Sequence, residues 1–475
     1  MGQKTRSVAI VAVIELMSWA LNAQSAVNAG DNSGEFAELC ALVALADAKP
    51  SPPADTGKAD AEYDEIQRLN MSLSGESWQS MFSDKGEKKT WLTTIPTAIK
   101  DPGDWAEQWP DWQKAMEETT KPALMEDINK AGFSTLKGLQ KAAVTSQARR
   151  LAMAARELRK KRLKLKTELA TPTDQQTKEE LNDAVYGVKS TEKQTAALAT
   201  AIEGGAANYN TVCTGTGAEI KAKTVAAALA CICCNAEASN AAQVCGTSVK
   251  LTNQWTVASN LVLNDLTQPL SFCPRHQKKT VTASDIEGPL TKLQNLIRVK
   301  SGAATLGATE DGSCTGKTDG GICIKITDWG SDGSKTIANG LPWAKKLNDL
   351  MINIQKREKA VAAAHTIDEE IKAVHKKLFA LPGTTGAYSE INTAGAGVAA
   401  QTTTQSQKSG QEGSADCTTH KDNKTACEKT GKCQWKGGES DTKGDCKPKE
   451  GQEQTNTSAG KKEEKCKGKL EDDCK

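Results

Sequence analysis

Fifteen of the 475 residues are cysteine, and their spacing bounds the chemistry open to this chain. Cys40 stands alone near the start. Cys213, Cys231, Cys233, Cys234, Cys245 and Cys273 crowd one stretch, Cys314 and Cys323 flank a Gly-rich loop, and Cys417, Cys427, Cys433 and Cys446 form a late group. A structural zinc site needs a repeated Cys-x-x-Cys spacing, which this order lacks. So many closely set cysteines indicate an oxidising compartment and disulfide formation. Adjacent Cys233 and Cys234 should then take different partners, and Cys314 should pair with Cys323. The remaining pairings stay open.

The other reactive residues argue against catalysis. There are four histidines, and none lies in a triad or metal-ligand spacing; His365 and His375 sit on a predicted helix without an HExxH arrangement. No GxSxG, no phosphate-binding loop and no paired carboxylates are present, and the GxG fragment at Gly215 and Gly217 lacks a strand-then-helix setting. No catalytic residue, metal site or cofactor is expected. Trp78, Trp91, Trp105, Trp109 and Trp112 cluster in a region of weak periodicity. They read first as the packed core of a small irregular lobe and second as an aromatic ligand cage. Three N-glycosylation sequons occur, at Asn70, Asn423 and Asn456. Asn423 lies between cysteines on an exposed stretch, Asn456 in a polar spacer, and Asn70 within a predicted helix.

The elements that must position these residues are mainly helices. Lys4 and Arg6 precede the apolar run Val8 to Ala20, which reads as a signal peptide within residues 1–29, cleaved after Ala23 or Ala29. Gly34 to Ala46 reads as an amphipathic helix burying Phe36, Leu39, Cys40, Val43 and Ala46, with Asn32 or Ser33 as its N-cap. Lys141 to Ala170 carries Leu151, Ala155, Leu158, Arg162, Leu165 and Leu169 at four- and three-residue steps, a coiled-coil seam on a rod of about 45 Å. After the turn at Pro172 the pattern resumes through Leu181, Val185 and Leu198 to Ile202, which predicts an antiparallel hairpin of two long helices. Arg162 is the polar seam position that could fix register or oligomer state. Leu341 to Leu381 is the second rod, with Leu347, Leu350, Ile354, Ala364, Ile371 and Leu378 on one face. Between the rods, residues 301–326 read as a Gly/Thr/Ser-rich loop.

These elements give a domain plan: signal peptide 1–29, helical domain 30–382, flexible hinge 383–415, disulfide-held module 416–450, then a spacer and a second, truncated module over 451–475. The late module has almost no apolar core, so cross-links must hold it. The predicted fold class is mainly α: an elongated antiparallel helical coiled-coil bundle with disulfide-stapled irregular lobes and small disulfide-rich modules behind it. A net charge of +2 with 4% aromatic residues implies neither an acidic partner nor a membrane surface. The basic run Arg159 to Arg162 reads as a solvated helix face, so no nucleic acid is expected.

In this order, the leader followed by DNSGEFAELCALVALA, the helical hairpin, CICC before CPRH, the Cys314–Cys323 loop, the last long helix, the Thr/Gln-rich hinge and the module CTTHKDNKTACEKTGKCQWKGGESDTKGDC resemble the variant surface glycoproteins of African trypanosomes. The early stretch and the cysteine placement are most similar to their class B amino-terminal domains. The resemblance implies a coat protein held on the outer leaflet of the plasma membrane by a glycosylphosphatidylinositol (GPI) lipid, self-associating as a homodimer or homotrimer. It further implies antigenic variation that shields the surface from host antibodies. It places the loop around Ser313 at an exposed tip, with Ser313, Thr309 and Thr315 as candidates for O-glycosylation. The family's anchor-addition tail is absent, and the expectation is that it lies beyond Lys475. The alternative on a related scaffold is a surface receptor for host transferrin or haptoglobin–haemoglobin.

Overall fold

The computed structural model describes residues 27–84, 90–216, 219–234, 243–252, 255, 258–275, 278–330 and 334–384, with 425, 427, 433–437 and 444–448 of a separate C-terminal part. Residues 1–26 of the proposed leader, most of the proposed hinge, Cys417, Asn423 and Asn456 lie outside them. The chain divides into two units, Met1–Ala396 and Gly397–Lys475. Among the described residues no helix is long and apolar enough to cross a membrane.

Among the described residues the first unit is helical with one small sheet. Its helices include α1 (Ser33–Ala48), α2 (Asp60–Ser72), α3 (Trp105–Thr119), α4 (Gly138–Lys164), α5 (Lys166–Ala170), α6 (Asp174–Tyr186), α7 (Val225–Cys233), α8 (Leu263–Ser271), α9 (Ala283–Leu296) and α10 (Pro342–Phe379). The 38 residues of α10 make an axis of about 57 Å, against which α2, α4, α5, α6 and α9 pack. The sheet runs in the order β1 (Thr214–Gly215), β4 (Ile322–Ile326), β3 (Ala303–Ala308), β2 (Arg298–Lys300), with β1 parallel to β4 and the other pairs antiparallel.

The predicted hairpin of two long helices is not formed. α6 stops at Tyr186 because Gly187 caps it in the left-handed region, φ +79°, where a Cβ would sit 2.1 Å from the Thr200 carbonyl oxygen. Instead of folding back on α4, the track α4–α5–α6 continues along α10 in the opposite direction to it. Arg162 meets Asp368 at 2.8 Å, Leu169 packs with Ala360 and Ala364, Arg357 donates to the Pro172 carbonyl at 3.0 Å, and Lys346 pairs with Asp183 at 2.8 Å. These pairs step steadily down one helix as they step up the other. The α4 face that is buried is Val144, Ala148, Ala152 and Ala155, with Leu151 and Leu158 at its edge. Small residues there allow α2 and α10 to approach closely.

α7 is the centre of the largest core. Its sequence VAAALACIC is buried at every position, between α1, α8 and the sheet. The stretch read as one loop, 301–326, contains β3 and β4, whose Leu306, Ile322, Ile324 and Ile326 belong to this core. The Gly and Thr content hid the strands; Gly307 is required where it stands, since at φ +108° a Cβ would lie 2.7 Å from the Ile322 carbonyl oxygen. Only 309–321 is a loop between strands.

The C-terminal unit contributes a two-stranded antiparallel sheet, β5 (Cys433–Gly437) with β6 (Gly444–Pro448), placing Trp435 opposite Cys446. Cys427 is buried and disulfide-bonded.

Candidate functional site

Four disulfides frame the sheet and α7. Cys40 of α1 joins Cys273 just beyond α8, Cys213 joins Cys231, Cys233 joins Cys245, and Cys314 joins Cys323 as the loop spacing predicts. Cys234 corrects the expectation that both neighbours are bridged: it is a buried free thiol. It caps the end of α7 and donates its S–H to the Asp265 carbonyl at 3.2 Å, and burial beside that aspartate pushes its pKa up. Cys233 faces Cys245, and the one-residue turn in helical direction points Cys234 at α8 instead, where no second cysteine stands.

Two buried polar side chains tie this frame together. Tyr209 donates its hydroxyl to the Cys231 carbonyl at 2.7 Å and accepts the Cys323 N–H at 3.0 Å, bridging α7 and β4. Asn32 is 0% exposed and is not the side-chain cap predicted for α1. Its Nδ2 donates to the carbonyls of Ile232 and Ile322 at 2.7 and 2.8 Å, while Oδ1 accepts the Ala308 N–H at 2.6 Å. A single amide therefore satisfies backbone groups of α7, β4 and β3 that would otherwise be buried unpaired.

On this frame stands the loop 309–321 with the three candidate hydroxyls. Thr309 donates to the Ser313 carbonyl at 2.6 Å and accepts the Gly312 N–H at 3.2 Å. Ser313 donates to Asp311 at 2.6 Å, with the Gly320 carbonyl also in reach. These bonds from Ser313 hold the Asp311 carboxyl below the usual carboxylate range. Thr315 only accepts, from the Lys317 N–H at 3.3 Å. A sugar on Thr309 or Ser313 would displace a donated hydrogen bond, and one on Thr315 would not.

The tryptophans divide between two roles. Trp109 is core: it is buried with Phe82 and Met116, and its Nε1 donates to the Leu92 carbonyl at 2.8 Å. Trp78, Trp105 and Trp112 are half-buried and line a cleft of about 480 Å³ between α2, α3 and α4. Their rings lie edge to face, 5.1 to 5.8 Å apart. Asn70 of α2 and Arg149 and Arg156 of α4 line the same cleft. The two arginines, seven residues apart on one helix, share a face that the sequence pattern makes readable.

The basic run is largely consumed within the chain. Arg159 pairs with Asp60, Lys160 with Glu107, and Arg162 with both Asp55 and Asp368 at 2.9 and 2.8 Å. Asp368 is 1% exposed and also accepts the Ala59 N–H. Arg162 thus fixes the register of α4 on α10 inside one chain. Asp368 was missed by reading the apolar stripe alone; its signal was a carboxylate interrupting that stripe between Ala364 and Ile371. His375 pairs with Glu65 of α2 at 2.6 Å.

Comparison with known proteins agrees with this architecture. The family described as the trypanosomal VSG domain matches residues 14–373. Variant surface glycoprotein ILTAT 1.23 of Trypanosoma brucei brucei is 25% identical over 443 residues, which cover 89% of this chain and 79% of that protein. ILTAT 1.21 of the same organism is 25% identical over 460 residues, covering 93% and 90%. Variant surface glycoprotein WRATAT A of Trypanosoma brucei rhodesiense is 24% identical over 445 residues, covering 86% and 84%.

Proposed function

The chain belongs to the trypanosomal variant surface glycoprotein family, and from that premise we propose that it is a GPI-anchored coat protein of the parasite's outer leaflet. In this reading it presents one of a switched series of surfaces to host antibodies and shields what lies beneath. It assembles with copies of itself as a homodimer or homotrimer, and it reaches the surface through the secretory pathway. The observation that carries the reading is the family match over residues 14–373, most of the chain. The disulfide frame adds support, because bridges of this kind persist outside the cytosol. The loop 309–321, braced by Cys314–Cys323, turns Glu310, Asp311, Lys317 and Asp319 to solvent, positions that can vary while its buried glycines hold the loop on the frame.

Peptide mapping of protein taken from the native cell surface tests this. The expected result is a C-terminal peptide carrying a glycolipid, together with release of the intact protein by a phospholipase that cleaves phosphatidylinositol anchors. A lipid-free native C-terminus would sink the anchored-coat reading. The second reading, a receptor for transferrin or haptoglobin–haemoglobin, draws on the tryptophan-lined cleft. Retention of either serum protein by the purified molecule would favour it.

A further inference from the structure

The cleft lined by Trp78, Trp105 and Trp112 carries a sequon on its own rim. Asn70 lines it, and Asn70-Met71-Ser72 is a sequon. We propose that the first sugars of an N-linked glycan on Asn70 lie in this cleft and cover its tryptophans. The inference requires passage through the secretory pathway and does not depend on the coat role.

Four observations carry it. First, Asn70 is half-exposed, and among the described residues its side-chain amide makes no hydrogen bond, so Nδ2 can carry a substituent without breaking a contact. Second, the three indoles stand mutually edge to face, with planes 85°, 77° and 85° apart. All three line the cleft, so aromatic surface in more than one plane borders it. The negative face of an indole attracts the weakly positive C–H bonds that a pyranose chair presents on one face, while its hydroxyls project around the rim. Third, Trp109 spends its N–H on the Leu92 carbonyl, whereas no described acceptor takes an N–H from Trp78, Trp105 or Trp112. These donors suit sugar hydroxyls. Fourth, Arg156 has a side chain 11% exposed; its Nη1 donates to Asp104 at 3.5 Å, whereas its Nη2 is buried and makes no hydrogen bond, with a Glu107 carboxylate oxygen at 3.7 Å. A buried donor left unbonded is costly, and an N-acetyl carbonyl or ring oxygen in the cleft would accept from it.

The helical setting of the sequon does not oppose the transfer, which takes place on the extending chain before α2 forms. Asn70 Nδ2 attacks the anomeric carbon of a lipid-pyrophosphate-linked oligosaccharide. The N–C bond forms, the C–O bond to the pyrophosphate breaks, the lipid pyrophosphate leaves, and the amide gives up one proton. Once α2 packs, Met71 is buried beside the sugar's attachment point and Ser72 turns its hydroxyl to the Leu69 carbonyl.

The test uses full-length protein expressed on the trypanosome surface, as wild type and as Ser72→Ala, which keeps Asn70 and abolishes the sequon. Peptide mapping after enzymatic deglycosylation in heavy-oxygen water should convert Asn70 to labelled aspartate in the wild type alone. Endoglycosidase should release this glycan severalfold more slowly from native than from denatured protein. Ser72→Ala should red-shift tryptophan emission and raise its quenching by acrylamide. Trp105→Ala should leave Asn70 occupied but speed native release of its glycan; should that variant fail to fold, Trp112→Phe gives the same readout with less disturbance. An unmodified Asn70 would overturn the proposal. So would an occupied Asn70 whose glycan is released equally fast from native and denatured protein, with quenching unchanged in Ser72→Ala.

Discussion

The two halves of α10 enter cores built in different ways. Near its start, Trp343, Leu347, Leu350 and Ile354 join a core made of α7, the sheet and the cysteine-bearing segments, and all four described disulfide pairs lie in or beside that core. Near its end, Ile371 and Leu378 join α2 and α4 in a core without a cysteine. There the register is set by charge: Arg162 between Asp55 and Asp368, Arg159 on Asp60, Arg68 on Glu118 and Lys114 on Asp64. The difference follows from the local chain. Around α7 the segments are short and carry little periodic pattern, so helix–helix ridges cannot define their positions, and cross-links with buried amides and hydroxyls do so. Where two helices run side by side for several turns, apolar ridges hold them and a few ion pairs choose the register.

The largest expected effect breaks the stapled side. Replacing both Cys40 and Cys273 with serine removes a link between residues 233 apart in sequence, and should cost about 3–5 kcal/mol in thermal unfolding. A cost near zero would mean that α1 is held by packing alone and that the two sides do not differ in kind.

The next effect concerns the charged side. Asp368→Ala leaves Arg162, 11% exposed, with only Asp55, and strips the Ala59 N–H of its acceptor. Removing one partner of a buried pair should cost about 3 kcal/mol. Pairing Asp368→Leu with Arg162→Met should return the part of that loss that lies in the orphaned Arg162 charge in denaturant unfolding, while the Ala59 N–H stays unpaired and Asp55 keeps Lys58. If the double variant is no better than the single, the ion pair is a source of stability and not chiefly a register device.

The smallest effect is a pH dependence on the stapled side. Glu35, in the first turn of α1, is buried, and desolvation raises its pKa above the usual carboxylate value, although its own and the Gly307 backbone N–H groups and Arg298 pull the other way. The folded form therefore holds this proton to higher pH than the unfolded chain does. Stability should fall as pH rises from the ordinary carboxylate range through the raised value. Glu35→Gln should erase that slope, matching the wild type in acid and exceeding it near neutrality when unfolding is followed across pH.

How much of this was legible in the sequence also divides between the two sides. The long final helix, the burial of Leu39, Cys40 and Val43 on α1, and the Cys314–Cys323 bridge could be read directly, because periodicity and close spacing are local signals. The course of α4–α5–α6 could not. A turn at Pro172 is equally consistent with folding back or carrying on, and Gly187, which ends α6, reads as an ordinary helical position until Thr200 is seen against it. The strands within 301–326 escaped because Ala, Gly and Thr mask alternation when both faces of a sheet are covered. The odd cysteine count up to Cys323 signalled one unpaired thiol, but nothing local could identify it as Cys234, since the choice rests on which direction each residue leaves α7. The cleft was half visible: its tryptophans were conspicuous, whereas Asn70, Arg149 and Arg156 come to it from two other helices.

Hydrogen exchange resolved by peptide mass, before and after reduction of the folded protein, tests the contrast between the two cores most directly. Reduction should strip protection from Val225–Cys233, Ala303–Ala308 and Ile322–Ile326, and should leave the amides of α2 and of residues 144–158 on α4 slow to exchange. Equal loss of protection in both groups would show a single cooperative core that depends on its disulfides throughout, and would contradict the account.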